Sequence, residues 1–193
     1  MSAPRLRMLV SALCLSVSPV AADVILVVDD VTVPRPEAGT QSFELDVFVE
    51  FASPDNLGSY SVPLDLVDDG AGIALTGATN SIFEFLDVTL PGPAGIDMLV
   101  YDEAYPEDLP MPSGQTRLFS ATFEVSSTTP LGAYDVNVVD SASYLELAKE
   151  NSLVVFTIDE LIGGSVTVTP EPAAFALLVL GGVVMVAHRR RRA

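Results

Sequence analysis

Hydrophobic and polar residues alternate along most of the chain between residues 23 and 169. In the segment 44–51, ELDVFVEF, every second residue is hydrophobic and three of the others are acidic. This period places successive side chains on opposite faces of a β-strand, so the segment is predicted to form a strand buried on one side. The same pattern predicts strands at 60–66, 119–125, 134–138, 153–158 and 165–169, and more weakly at 24–33, 73–79, 82–90 and 96–101.

Turn-forming residues, such as Asp68-Asp69-Gly70 and Pro91-Gly92-Pro93, separate these segments. About nine or ten strands at this spacing predict an all-β fold in which two antiparallel sheets pack as a sandwich. Pro63 lies inside the predicted strand 60–66 and has no main-chain N–H. That strand is therefore predicted to lie at a sheet edge or to contain a bulge. Only the short segment 142–150 has a composition that favours a helix.

The charged residues are distributed unevenly between the ends and the centre of the chain. The sequence contains 26 acidic and nine basic residues, with a formal net charge of −17. Between residues 23 and 171, only Arg35, Arg117 and Lys149 oppose all of the carboxylates. Such a surface repels nucleic-acid phosphates and anionic lipids, so no nucleic-acid partner is predicted.

The N-terminal residues 1–22 have the three parts of a secretory signal peptide. A cationic segment, MSAPRLR, precedes an apolar segment and a small-residue end, SPVAA. This order predicts export and cleavage after Ala22. The only cysteine, Cys14, lies inside the signal, so the mature chain is expected to contain neither a disulfide nor a zinc–thiolate site.

The C-terminal end has a short apolar segment followed by arginines. Residues 173–187 carry no charge, and Arg189, Arg190, Arg191 and Arg192 follow His188. A helix over 15 residues is about 22 Å long, whereas the hydrocarbon core of a membrane is about 30 Å thick. The segment 173–188 is nevertheless predicted to be a single, short transmembrane helix, with the arginines as its cytoplasmic stop and the acidic domain outside.

Pro170, Glu171 and Pro172 stand directly in front of this apolar segment. The tripeptide, the apolar run and the terminal arginines together resemble the PEP-CTERM sorting signal. The resemblance implies that an exosortase recognises the tripeptide, removes the anchor and passes the protein to the cell surface or exopolysaccharide matrix. The alternative is a permanently anchored single-pass surface protein. The predicted organisation is thus a signal peptide (1–22), an acidic sandwich domain (23–169) and a sorting signal (170–193).

Several short motifs between residues 58 and 168 occur in a recognisable order. They are Gly58-Ser59-Tyr60, ATFEV at 121–125, PLGAYDV at 130–136 and GSVTV at 164–168. In this order they resemble the strands of cohesin-like, carbohydrate-binding-module-type sandwiches. The resemblance implies a cohesin-like jelly roll.

The residue types of the exported domain limit the chemistry that it can perform. The only histidine, His188, lies in the C-terminal tail, so no Ser-His-Asp, Cys-His or histidine–metal site is expected. A hydrolase based on two carboxylates has no distinctive pair among so many acids, and the chain is predicted not to be an enzyme.

No cofactor is predicted, but Ca²⁺ is retained as a candidate because two acidic segments can supply oxygen ligands. These segments contain Asp65, Asp68 and Asp69, and Asp102, Glu103, Glu107 and Asp108. Solvated acidic loops are the alternative.

Exposed aromatic residues are the remaining candidates for ligand contact. The chain has no tryptophan, and Tyr60 and Tyr134 fall on inward-facing rows. Tyr101 and Tyr105 flank an acidic, proline-containing loop, and Tyr144 is a further candidate. These tyrosines suit either a protein or a glycan contact, or they anchor a loop. The sequence therefore predicts an exported structural or adhesion protein with an extracellular polysaccharide or protein partner, and a glycan-binding module is the alternative.

The mass of the mature protein isolated from cells tests the two terminal signals. We expect a chain that lacks residues 1–22 and everything beyond the Pro-Glu-Pro region, because both signals are removed in transit. Intact-protein mass spectrometry of the envelope and secreted fractions measures this. Recovery of residues 23–193 as a single intact species would contradict processing at the C-terminus.

Overall fold

A computed structural model describes residues 24–67, 71–93, 95–104, 107–149 and 154–171. These residues form fifteen strands and no helix. The strands are β1 (Val24–Val28), β2 (Val31–Pro34), β3 (Thr40–Phe51), β4 (Asp55–Leu57), β5 (Ser59–Leu66), β6 (Ile73–Thr79), β7 (Asp87–Thr89), β8 (Met98–Glu103), β9 (Leu109–Met111), β10 (Gly114–Ser126), β11 (Gly132–Val138), β12 (Glu146–Lys149), β13 (Val154–Val155), β14 (Ile158–Ile162) and β15 (Gly164–Thr169).

The strands form two main sheets. The first has the order β14-β1-β3-β10-β6. The second has the order β13-β12-β5-β11-β15-β2, and β8 pairs with the other side of β5 and carries β7 at its outer edge. A small sheet of β4 and β9 is not hydrogen-bonded to either main sheet in strand order, but its Leu57 and Met111 are buried in the common core. The predicted two-sheet, all-β architecture is confirmed, but the sheets are not purely antiparallel, because β1 pairs with β14 and β2 pairs with β15 in parallel.

The core lies between the inner faces of the two sheets. Leu45, Val47, Val49 and Phe51 are each at most 2% exposed, as the alternation in 44–51 predicted. The ring of Tyr60, from the second sheet, stacks on Phe119, from the first, with a centroid distance of 5.7 Å. Full burial of each large aliphatic side chain contributes about 1.5–3 kcal/mol, so these alternating rows are the main source of stability.

Pro63 does not mark a sheet edge, and the prediction of an edge or a bulge was wrong. β5 has β8 on one side, and on the other side β12 pairs with its first half and β11 with its second half. Pro63 lies where this second partner changes, and its carbonyl accepts a hydrogen bond from the main-chain N–H of Val139 at 3.0 Å. The nitrogen of Pro63, which carries no hydrogen, therefore faces the gap between β12 and β11, where no strand needs its hydrogen bond. A central strand can for this reason contain the proline.

Three further predictions about local structure need correction. The segment 142–150 contains β12, which pairs with β5, and no helix within its described residues. The predicted strand 82–90 is reduced to β7, and residues 80–86 form a loop. The predicted strand 153–158 is interrupted between β13 and β14, because Phe156 turns into the core and contacts Phe51 at 5.3 Å between ring centroids.

The chain changes sheets at two adjacent points. The predicted strand 24–33 is divided at Asp29-Asp30 into β1, in the first sheet, and β2, in the second. Gly163 divides β14 and β15 in the same way. A Cβ atom at Gly164 would lie 2.6 Å from the carbonyl oxygen of Val28 and still closer to that of Asp29. The two segments in which the chain changes sheets can therefore lie side by side only if residue 164 has no side chain.

The predicted signal peptide, transmembrane segment and arginine tail lie outside the described residues. Within the described part of the chain, no helix has the length and hydropathy of a membrane span.

We expect Gly164→Ala to destabilise the domain, because its new methyl group would collide with two main-chain carbonyls that cannot move independently. Such overpacking costs about 1–3 kcal/mol. Gly77→Ala in β6 is the matched control, because a Cβ there has no neighbour within 4 Å. Urea denaturation of both variants measures the free energy of unfolding. Equal midpoints for the two variants would show that the crossing does not need a glycine.

Candidate functional site

The predicted site residues fall into two separate regions of the domain. Tyr101 lies on β8, and Pro170 and Glu171 directly follow β15. Ala22, Tyr105, Pro172 and Arg189–Arg192 lie outside the described residues. Leu66 in β5 and Gly164 in β15 both pair with Val136 in β11, so they lie at the same level of the sheet. Ser61, beside Tyr101, is five residues from Leu66 in one direction, and Thr169 is five residues from Gly164 in the other, which gives about ten residue steps between them. At about 3.3 Å per residue, the two regions are about 30 Å apart.

Four neighbouring strands place a row of polar side chains on the outer face of the second sheet. Tyr101 in β8 pairs with Asp87 in β7 on one side and with Ser61 in β5 on the other. Ser61 also pairs with Glu146 in β12. Directly paired residues share one face of a sheet, so these four side chains form a continuous row across it.

A cleft of about 200 Å³ opens along this row. Tyr101 and Tyr144, which are 38% and 36% exposed, both line it. The other lining residues are Ser59, Tyr60, Ser61, Ser143 and Glu146. The hydroxyl of Ser61 donates a hydrogen bond to the carbonyl oxygen of Tyr144 at 2.7 Å, so the turn that carries Tyr144 is fastened to the sheet. We refer to this region as the tyrosine cleft.

The phenol of Tyr101 is fixed by a carboxylate. Its hydroxyl donates a hydrogen bond to Oε2 of Glu103 at 2.6 Å. This hydrogen bond, followed by partial burial and the negative charges of Glu103, Asp102 and Glu146, raises the pKa of Tyr101 to about 12. Tyr101 therefore remains a neutral hydrogen-bond donor at any physiological pH, and its ring is held in one orientation.

A buried hydrogen-bond network lies beneath the tyrosine cleft, on the inner face of the same two strands. The hydroxyl of Tyr60 lies 2.5 Å from Oγ of Ser81, and Ser81 donates its proton to Oδ2 of Asp102. The main-chain N–H of Glu103 donates to the other oxygen of Asp102 at 2.8 Å. Burial raises the pKa of Tyr60, so its phenol stays protonated. The network joins the loop of Ser81 to β5 and β8.

The prediction of Asp102 as a candidate calcium ligand on an acidic loop was wrong. Asp102 is fully buried at an inward position of β8, and its two carboxylate oxygens accept hydrogen bonds from Ser81 and Glu103. The alternation of residues along this strand already indicated that Asp102 is buried, because Asp102 lies on the same face as Met98 and Val100. In the other predicted segment, Asp68 and Asp69 lie outside the described residues. Elsewhere in the described chain, no three acidic or histidine side chains are grouped as metal ligands.

The tyrosine cleft has a negative electrostatic environment. Glu146 lines the cleft, Glu103 binds Tyr101, and Asp87 ends the polar row. The three basic residues of the described chain lie elsewhere. Arg117, on the first sheet, is 3.7 Å from Asp46, Lys149 forms an ion pair with Asp55, and Arg35 follows β2 at the opposite end of the domain.

The domain is similar to solved structures of cohesin modules. The seventh ScaB type I cohesin from Pseudobacteroides cellulosolvens has a TM-score of 0.57 and 13% identity, covering 77% of this chain and 94% of its own. A chain of a type I cohesin–dockerin complex from Clostridium thermocellum has a TM-score of 0.58 and 14% identity, covering 76% and 99%. The chain has the cohesin fold. No protein-family model and no curated protein matches the sequence.

The cohesin fold extends to proteins of a different biological context. A non-cellulosomal cohesin from the archaeon Archaeoglobus fulgidus has a TM-score of 0.54 at 12% identity and covers 80% of this chain. The cohesin-like sandwich predicted from the motifs is thereby confirmed. Identities this low establish the architecture alone, because the residues that determine function differ among proteins with one fold.

We expect Glu103→Gln to lower the pKa of Tyr101 from about 12 towards the ordinary value of about 10. The substitution removes the negative charge that stabilises the protonated phenol. NMR titration of the ring-labelled protein follows the ionisation. Glu160→Gln, on β14 of the other sheet, is the control and should leave Tyr101 unchanged. An unaltered Tyr101 titration in Glu103→Gln would mean that the hydrogen bond does not control the phenol.

Proposed function

We propose that this chain is an exported, non-catalytic, protein-binding module with a cohesin fold, displayed at the cell surface or in the exopolysaccharide matrix. The observation that carries the proposal is the tyrosine cleft on the open face of the second sheet. It combines two exposed aromatic rings with the fixed phenol of Tyr101 and the bound hydroxyl of Ser61, and interfaces between proteins are enriched in tyrosine.

The solved cohesins support a protein as the partner. The Clostridium thermocellum structure is a complex between a cohesin and a dockerin, and the sixth cohesin of Acetivibrio cellulolyticus scaffoldin B was solved with a Cel5 dockerin. A type III cohesin of Ruminococcus flavefaciens belongs to a cell-surface anchoring scaffoldin. By analogy, we propose that the tyrosine cleft binds a small protein module. The acidic surroundings of the cleft favour a partner with a basic contact surface.

The terminal segments support the proposed location. The signal peptide directs the chain to the secretion machinery, and the Pro-Glu-Pro segment presents the anchored domain to an exosortase. The tyrosine cleft lies about 30 Å from the point where the chain leaves the domain, counted at about 3.3 Å per residue step. In an anchored molecule, this end of the sandwich points away from the membrane. A bound partner would therefore meet neither the membrane nor the processing enzyme.

A glycan is the second candidate ligand. Tyr101 and Tyr144 line a cleft that also contains the serine side chains of Ser59, Ser61 and Ser143. Aromatic rings beside hydroxyl groups suit a sugar as well as a peptide. A glycan would occupy the same cleft, so the two candidates differ in the ligand and not in the site.

We expect the double variant Tyr101→Ala, Tyr144→Ala to lose affinity for the partner by at least about tenfold, because exposed tyrosines in a cleft act as hot spots. The partner is first cross-linked to the mature domain on cells and identified, and binding is then measured with the purified pair. Thr76→Ala, at an exposed position of β6 on the other sheet, is the matched control.

The same variants separate the two candidate ligands. Retention of the wild-type domain on an insoluble polysaccharide, lost in the double variant, would favour the glycan. Unchanged affinity of the double variant for the purified partner would rule out the tyrosine cleft as the binding site.

A further inference from the structure

The last strand of the domain leads into the Pro-Glu-Pro segment without a linker. β15 ends at Thr169, and Pro170 follows it directly. The main-chain N–H of Arg35 donates to the carbonyl oxygen of Thr169 at 2.8 Å. The hydroxyl of Thr169 donates to the carbonyl oxygen of Val33 at 3.2 Å. The pairing between β15 and the β2 region therefore continues to the last residue before the motif.

Glu171, the central residue of the motif, lies against the same edge of the domain. Its Oε1 accepts a hydrogen bond from the main-chain N–H of Glu37 at 3.0 Å. Glu171 is half-buried and lines a cleft of about 150 Å³. The other lining residues are Arg35, Pro36, Glu37, Ser127 and Pro170. We refer to this region as the edge cleft.

The edge cleft suits a carboxylate. Arg35 is the one basic residue among its described lining residues, and Nη1 of Arg35 is held by the carbonyl oxygen of Thr129 at 3.4 Å. A hydrogen bond to an ionised acceptor is stronger than one between neutral groups. Pro36 is buried and gives the cleft a fixed wall. The position of Glu171 is thus determined by the Glu37 N–H donor and the rigid surface of Pro36, and Arg35 places a positive charge in the lining of the same cleft.

The two prolines of the motif reduce the freedom of Glu171. Pro170 has a fixed φ angle, and Pro172 restricts the backbone of Glu171 to extended conformations. Only Pro170 separates Glu171 from the last paired residue, Thr169. The chain therefore loses little conformational entropy when Glu171 binds in the edge cleft, so little opposes the hydrogen bond from the Glu37 N–H.

We propose that Arg35, Pro36, Glu37 and Ser127 form a docking site for the chain's own sorting motif, and that the docked motif is protected from processing. The proposal rests on the sorting function proposed above. An enzyme that recognises the Glu171 carboxylate competes with the edge cleft for it, because Glu171 is half-buried and its Oε1 is already bound by the main-chain N–H of Glu37. The enzyme can therefore bind only the undocked fraction, and its apparent affinity falls by that fraction.

Hydrogen exchange of the Glu37 amide tests the docking. In the full-length protein in detergent micelles, we expect Glu171→Ala to accelerate this exchange about fivefold, the effect of losing one hydrogen bond. Glu160→Ala, which removes an exposed carboxylate from β14, is the control and should leave the exchange unchanged. Equal exchange rates at Glu37 in the wild type and in Glu171→Ala would overturn the docking.

The rate of C-terminal processing in cells tests the protection. Glu37→Pro removes the N–H that binds Glu171, whereas Glu37→Ala keeps it. We expect a pulse-chase experiment to show severalfold faster loss of the anchor from Glu37→Pro than from Glu37→Ala. Arg35→Gln, which removes the positive charge from the edge cleft, should also accelerate processing and replaces Glu37→Pro if that variant does not fold.

The two experiments fail in different ways. Faster exchange in Glu171→Ala, combined with equal processing of Glu37→Pro and Glu37→Ala, or of Arg35→Gln and the wild type, would show a docked but unprotected motif and would overturn the protection. A wild-type chain whose anchor is never removed would refute the proposed sorting function, while the exchange rate at Glu37 would still decide whether the motif docks.

Discussion

Two chain segments pass from the first sheet to the second at the same place, and the rest of the fold depends on the contact between them. At this point β1 continues into β2, β14 continues into β15, and Gly164 leaves room for the carbonyls of Val28 and Asp29. The crossing joins the beginning and the end of the domain in both sheets. Residues about 135 positions apart, such as Val24 and Asp159, are thereby brought into contact. Such distant pairs carry a high entropic cost of loop closure, which slows the folding of domains rich in them.

The order of the second sheet links this crossing to the proposed binding site. β15 lies beside β11, β11 beside β5, and β5 beside β8. The central pair, β5 and β8, presents Tyr60 and Asp102 to the core and Ser61 and Tyr101 to solvent. One pair of strands therefore contributes both to the stability of the domain and to its exposed cleft. A change in the buried network alters the support of the surface above it.

The alternating pattern was sufficient to predict the sheets' buried faces but not which strands are neighbours. Periodicity predicted the burial of Leu45, Val47 and Val49 because alternate residues of a strand point to opposite faces, so the residues of one strand are enough to identify its buried face. Pro63 lies in a central strand because β12 and β11 pair with successive parts of β5, and the residues around Pro63 do not indicate which strands will be its neighbours. The hydrogen bond from Ser81 to Asp102 joins residues 21 positions apart, so residue type alone suggested a solvated acid. Tyr101 was a candidate because it falls on none of the inward-facing rows and flanks an acidic, proline-containing loop, whereas its position beside Tyr144 required the fold.

The direction in which β15 leaves the domain has a mechanical consequence. If the domain is anchored through residue 169 and a partner pulls at the tyrosine cleft, the tension runs along the strands and not across them. The hydrogen bonds of β15 to β2 and β11 are then loaded in shear, so that all of them must yield together and not one after another. In such an anchored molecule, the geometry by which the chain leaves the domain would place the load on many hydrogen bonds at once, without any disulfide to reinforce them.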